Sequence, residues 1–193
     1  MPQSYCLKRT LDLFLATLGI FFFLPVWLII IILIWIETED GIFYIQERLG
    51  LNNRTFKTLK FCTIYKGGKN NNRITGLGNF LRRTALDESL QLINILRKEM
   101  SFVGPRPLIP EEVKDHPEVK ERLKIRPGLT GLAQVAIAKD SDVAEKLKYD
   151  LWYINNQSLF LDLKIIFASI IISLMGKWET KRERLPFRFK EIV

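Results

Sequence analysis

Histidine occurs once in this chain of 193 residues, at position 116, and cysteine only twice, at positions 6 and 62. That scarcity excludes a disulfide framework and every common zinc spacing, and it fits a reducing compartment. With a single imidazole, any bound metal is expected to be a hard, oxygen-ligated cation such as Mg²⁺. Internal repeats are absent. The length bounds the chain to one ordinary domain. With 48% hydrophobic and 26% charged residues it is neither a disordered chain nor a purely polytopic one. The formal net charge of +8 attracts nucleic acid, anionic lipid or phosphorylated substrates. An interleaved aromatic and basic strand pattern is missing, so nucleic acid is not an expected partner.

Charge is missing altogether from Leu13 to Ile36, a run of 24 residues. About 20 apolar residues suffice to cross a bilayer as a helix. A cleavable signal peptide would have a shorter apolar core and a small-residue cleavage site, whereas Glu37-Thr38-Glu39-Asp40 follows here. Lys8 and Arg9 before the run favour a cytoplasmic N-terminus. A simple crossing would then export residues 37–193, which carry 27 Lys/Arg against 20 Asp/Glu. Both flanks prefer the same side. Pro25 stands mid-run, where it removes a helical hydrogen bond. A kinked spanning helix is one solution, and a re-entrant helix-break-helix with its break at Pro25 reconciles the charges.

Past the acidic flank, Gly41 to Arg48 reads as a strand, Gly50 and Asn52-Asn53 as a turn, and Thr55 to Tyr65 as the returning strand of a small β-hairpin. Gly67 to Asn72 is a polar loop. Thr84 to Met100 reads as a helix capped by Thr84, with Leu92, Ile93, Leu96 and Met100 on one face. Glu111 to Lys124 is a charged helical stretch interrupted at Pro117 and stopped by Arg126-Pro127-Gly128. Asp142 to Trp152 forms another helix. Leu159 to Met175 is apolar except for a stripe of Ser158, Asp162, Ser169 and Ser173, so it is either a core helix or an interfacial one. Trp152, Tyr153 and Trp178 suit interfacial anchors, and the basic tail from Lys181 to Lys190 suits anionic headgroups.

Three segments hold candidate chemistry. In Arg82-Arg83-Thr84-Ala85-Leu86-Asp87-Glu88, the two acids either complement a helix dipole or work beside a phosphate held by the arginines. A carboxylate attacking phosphorus divides one transfer into two steps through an acyl phosphate. Adjacent carboxylates also suit Mg²⁺ shared with substrate phosphates. In Gly104-Pro105-Arg106-Pro107 the prolines fix the backbone around one guanidinium, a bidentate phosphate ligand. In Arg126-Pro127-Gly128-Leu129-Thr130-Gly131 the glycine-bearing turn offers amides for an anion nest.

Taken in order, these stretches resemble the monotopic phosphoglycosyl transferases, or bacterial sugar transferases, of the small single-domain type. The resemblance runs from Lys8-Arg9 to about Lys177. It is carried by Gln46-Glu47-Arg48, Phe80 to Thr84, Leu86-Asp87-Glu88, Gln91 to Asn94, Met100 to Pro107, Arg126 to Val135 and Leu161 to Ile165. It implies an α+β, mainly helical fold with three parts. Residues 1–40 form the re-entrant membrane helix, residues 41–178 a cytoplasmic catalytic domain with interfacial amphipathic helices, and residues 179–193 a basic tail. It implies a catalytic aspartate nucleophile at Asp87 with Glu88 as its partner, both holding Mg²⁺. Arg82 and Arg106 would bind substrate phosphate. The implied donor is a UDP-sugar, the acceptor a polyprenyl phosphate, and the place the cytoplasmic face of a bacterial inner membrane, among lipids and downstream glycosyltransferases. Departures from the family pattern are Leu24 for a serine before Pro25, Ser89-Leu90 for Leu-Pro, Cys62 for an arginine, and Ala136 to Lys139 for Asn-Gly-Arg-Asn. Lys139 restores a charge that could reach phosphate. The last departure motivates the alternative reading, a catalytically degenerate membrane scaffold for glycan assembly.

Overall fold

A computed structural model describes residues 3–38, 41–65, 73–115, 117–138 and 140–178. The apolar run lies in one helix, α1 (Gln3–Glu37), with Pro25 inside it. The helix continues through the proline, so the expected break is not an interruption of helical structure. Phe14, Phe21, Phe22, Leu28, Ile29, Ile32 and Trp35 are exposed along it. Its other face supplies Ala16, Trp27, Ile30 and Ile34 to a buried cluster with Phe56, Phe61, Leu81, Leu92 and Ile95.

Strands β1 (Phe43–Leu49) and β2 (Thr55–Phe61) form the expected antiparallel hairpin, with Phe43 opposite Phe61. Asn52 and Asn53 take the left-handed conformation in its turn, which asparagine tolerates better than most residues. The loop at residues 67–72 and the tail at residues 179–193 lie outside the described residues.

Thr84 does not begin a helix. It ends α2 (Gly76–Thr84), whose N-terminus is capped by Thr75, where the hydroxyl accepts from the Gly78 amide at 2.8 Å. Ala85 then turns left-handed at φ 58°, and a 3-10 segment (Leu86–Gln91) precedes the short α3 (Leu92–Leu96). The change of helical pitch rotates the register, so Ile95 is buried and Leu96 exposed.

The stretch around Pro117 divides into α4 (Pro110–Asp115) and a 3-10 segment (Pro117–Lys124). Short parallel strands β3 (Ser101–Val103) and β4 (Gly128–Thr130) bring two loops together. A Cβ on Gly128 would lie 2.1 Å from the Gly104 nitrogen, so only glycine permits this approach. The Gly128 amide donates to Pro105 O and the Gly104 amide to Thr130 O. The Gly128 amide, engaged in this way, is not available to an anion nest.

Helices α5 (Leu132–Ala136), α6 (Val143–Asn155) and α7 (Leu159–Leu174) complete the fold. The polar stripe of α7 faces the protein. Asp162 accepts from Lys8 Nζ and from the Tyr153 hydroxyl, each at 2.6 Å, and Ser169 meets Thr130. Leu161, Ile165 and Ile172 are buried beside them, while Phe160, Leu163, Phe167, Ile170 and Leu174 are exposed. Tyr153, expected at a membrane interface, is instead buried, because its hydroxyl completes this polar knot.

The knot fixes α1 to the rest of the molecule. Lys8 also donates to Val103 O, and the Asp12 carboxylate accepts from Ser101 Oγ and the Phe102 amide. Breaking a buried ion pair by removing one partner typically costs about 3–5 kcal/mol. Asp162→Ala should therefore lower the thermal midpoint of detergent-purified protein markedly. An unchanged midpoint would show that Lys8 finds another acceptor.

Candidate active site

The turn at Ala85 aims two consecutive carboxylates into a cavity of about 750 Å³, which Arg48, Lys60, Arg82 and Arg106 also line. Local sequence explains how each side chain arrives there. Phe56, Thr58 and Lys60 share one face of β2, so Lys60 points inward with buried neighbours. Arg82 lies in the last turn of α2, with its Nε donating to Thr63 Oγ1 at 2.8 Å. Arg106 projects from its proline-flanked loop onto Glu88.

Glu88 is the hub. Its Oε1 accepts from Lys60 Nζ at 2.6 Å and from Arg106 Nη2 at 2.8 Å, and its Oε2 lies 3.4 Å from Arg106 Nη1. Burial alone would push this carboxyl up, but the two cations override it and hold it well below the usual carboxylate range. Arg106 is in turn pushed up by Glu88, whereas burial pulls Lys60 down.

Asp87 behaves oppositely. Burial, then the charge of Glu88, pushes its carboxyl up to about 6, against the pull of Lys60, Arg82 and Arg106. It makes no hydrogen bond or ion pair among the described residues. Two neighbouring acids with pKa values driven apart is the pattern of groups with separate roles. One is locked as a structural anion, and the other keeps free lone pairs facing open space.

Four expected site residues, Asp87, Glu88, Arg82 and Arg106, thus line one cavity. Lys139 falls outside the described residues, and Pro25 stays within α1. The sequence reading missed Lys60 and Arg48 as site members. An inward-facing lysine on the alternating strand β2 was the available signal for the first. Arg48 donates to Gln46 Oε1 and Pro107 O, so it serves the Arg106 loop. Among the described residues no group of three or more His, Cys, Asp or Glu could hold a metal. Asp87 keeps open lone pairs and Glu88 Oε2 has only a 3.4 Å contact with Arg106 Nη1, so these oxygens would suit a cation that takes one or two carboxylates and completes its shell with water and phosphate, as Mg²⁺ does.

A raised Asp87 pKa has a stability consequence. Because the folded state favours the protonated acid, its contribution is fully present below about pH 4 and is lost as pH rises through about 6. Asp87→Asn should therefore gain roughly 1–3 kcal/mol over wild type at pH 8, with the gain fading below pH 6. Thermal unfolding in EDTA at pH 4, 6 and 8 measures this. A gain independent of pH would contradict the raised value.

Residues 3–176 match a family model described as bacterial sugar transferase. The chain is 35% identical over 194 residues to the exopolysaccharide production protein ExoY of Rhizobium meliloti, covering 88% of this chain and 86% of that protein. It is 33% identical over 189 residues to the UDP-glucose:undecaprenyl-phosphate glucose-1-phosphate transferase of Escherichia coli, covering 89% of this chain and 41% of that one. Identity to the undecaprenyl-phosphate galactose phosphotransferase of Salmonella typhimurium is 31% over 200 residues, with 89% and 41% covered.

Proposed function

The chain belongs to the bacterial sugar transferase family and is a phosphoglycosyl transferase; we propose that it moves a phosphosugar from a UDP-sugar to a polyprenyl phosphate through a covalent intermediate on Asp87. The observation that carries this reading is the unpartnered Asp87 carboxylate, facing a cavity whose other walls supply Arg48, Lys60, Arg82 and Arg106. In the first step an Asp87 oxygen attacks the β-phosphorus of the donor. The bond from that phosphorus to the bridging oxygen breaks, and UMP leaves with the electron pair. In the second step a phosphate oxygen of the acceptor attacks the same phosphorus, the bond to Asp87 breaks, and the carboxylate is regenerated. Polyprenyl-diphosphate-sugar leaves. Covalent capture of this kind replaces one difficult displacement by two easier ones.

The cations hold and neutralise the diphosphate, Arg82 from α2 and Arg106 from its loop. Glu88 keeps Lys60 and Arg106 in place, and its charge deters Asp87 from ionising until donor and cation arrive. Mg²⁺ held by Asp87 and Glu88 would neutralise charge on the donor phosphates.

Membrane topology belongs to the same proposal. Lys8 and Asp12 fasten one end of α1 to β3 and α7, and Glu37 Oε1 at the other end accepts from the Leu77 amide of α2 at 3.1 Å. A straight crossing would separate those ends by about 30 Å of hydrocarbon. Attachment of both to one catalytic domain supports a monotopic arrangement, with both flanks at the cytoplasmic face of the bacterial inner membrane. The exposed apolar side of α7 supports an interfacial helix.

Two measurements test this. With Mg²⁺ and undecaprenyl phosphate, purified protein should release UMP from a UDP-sugar, and Asp87→Asn should lose at least about 10³-fold in rate. Intact mass after donor alone should show a sugar-phosphate adduct on wild type only; product formation with no adduct excludes the covalent route. For topology, single cysteines at positions 3 and 38, in a chain with Cys6 and Cys62 changed to serine, should react with an impermeant maleimide from the same side. Labelling from opposite sides means that α1 spans.

A further inference from the structure

Four consecutive carbonyls in the loop that carries Arg106 are each held from a different place. Pro105 O accepts from the Gly128 amide at 2.9 Å, Pro107 O from Arg48 Nη1 at 3.1 Å, and Leu108 O from the Leu49 amide at 2.8 Å. Arg106 O accepts from Arg122 Nη2 at 3.2 Å. Three of these donors are backbone or lie on the hairpin. Arg122 alone depends on a partner from another helix, since its Nε sits 2.9 Å from Asp150 Oδ2 of α6, and the two side chains are 9% and 2% exposed.

We propose that Arg122, held by Asp150, is a positioning residue that aims the Arg106 guanidinium at Glu88 and at the donor diphosphate. The pair touches no reacting atom in the proposed chemistry. It acts through the peptide unit from which Arg106 departs. Prolines on both sides of Arg106 lock φ at 105 and 107, and Pro107 confines ψ at 106 to the extended region; the freedom that remains, φ at 106 and the tilt of the following peptide, is set by whatever grips its carbonyl. A rotation there swings a long side chain through several ångströms at its tip. Misplacement of about 1 Å at a charged ligand is enough to cost substantial transition-state stabilisation. Bulk packing supplies no substitute, because the side chains of the apolar cluster nearby (Leu49, Leu108, Val119 and Leu123) carry no hydrogen-bond donor.

The competing explanation is that Arg122–Asp150 merely ties α6 to the 3-10 segment at Pro117–Lys124. A structural tie changes stability and leaves the aim of Arg106 alone. The inference rests on the proposed donor reaction only for its kinetic arm. Its other arm is hydrogen exchange of the full-length protein in detergent, read on peptides covering residues 102–109.

Arg122→Gln should speed exchange in those peptides at least about threefold at a temperature where the rest of the chain stays protected. It should also raise the donor KM about tenfold with little change in kcat, using whichever of UDP-glucose, UDP-galactose and UDP-N-acetylgalactosamine turns over best. In a double-mutant cycle with Arg106→Lys, the two KM effects should fall well short of additive, because the second change removes what the first aims. Unchanged exchange at 102–109, or additive KM effects, overturns the proposal. If Arg122→Gln fails to fold, Asp150→Asn, which keeps shape and removes the charge gripping Arg122, carries the same measurements under the same criteria. If wild type turns over none of these donors, the proposed function is in question, while the exchange measurement still decides the positioning role.

Discussion

Two adjacent carboxylates cannot both be charged inside a poorly hydrated cavity unless cations neutralise one of them. Here Lys60 and Arg106 neutralise Glu88, and the rest of the site follows from that pairing. With the second acid fixed as an anion, the first is left to feel burial and like charge, and its pKa rises. The asymmetry needs no difference in residue chemistry. It arises because Lys60 on β2 and Arg106 on its loop both converge on position 88 and leave position 87 with none of their hydrogen bonds.

That convergence demands rigid supports on both sides, and the fold provides them by different means. On one side, the alternation of β2 turns Lys60 inward between buried neighbours. On the other, Gly104, Gly128 and Gly131 let two backbones approach so closely that no Cβ fits. Across this contact the Gly128 amide holds Pro105 O of the Arg106 loop. Glycines that look like phosphate-cradling residues in a sequence thus serve the close approach of two backbones. Ala85, held at φ 58°, adds the remaining device, a left-handed turn that ends α2 and presents the acids.

The long apolar helix, the hairpin, α6 and α7 were legible because each rests on periodicity or on an unbroken apolar run; the acidic pair with Arg82 was legible as a local cluster, and Arg106 through its flanking prolines. Other features were invisible for physical reasons. The spacing of Thr84 and Asp87 fits a capping box, yet nothing local announces that a preceding helix capped by Thr75 already occupies residues 76–84. Lys60 is separated from Glu88 by 28 residues, and their ion pair exists only once β2 packs on the 3-10 segment. The polar stripe of α7 fitted either a core helix or an interfacial one with that side turned to water. Asp162, Ser169 and Ser173 turn inward, because Lys8, Tyr153, Thr130 and Trp178 offer them partners that a lipid face would not.

Several of the positions where this chain departs from the family pattern are absorbed into packing, whereas Leu24 is exposed. Cys62 is buried and donates to Ile64 O, and Ala136 and Ile137 join the buried cluster between α5, α6 and α7. Ile137 and Ala138 also line the cavity, together with Val143 and Lys146, so polar family positions have become an apolar stretch of wall. None of these residues touches Asp87 or Glu88 by a hydrogen bond. A scaffold that had lost its chemistry would have no reason to keep a buried anion clamped between two cations beside an unpartnered acid, since such an arrangement costs desolvation and gives little net stability in return. Under the proposed reaction, the altered wall bears on which donor fits, and the acidic pair on what is done to it.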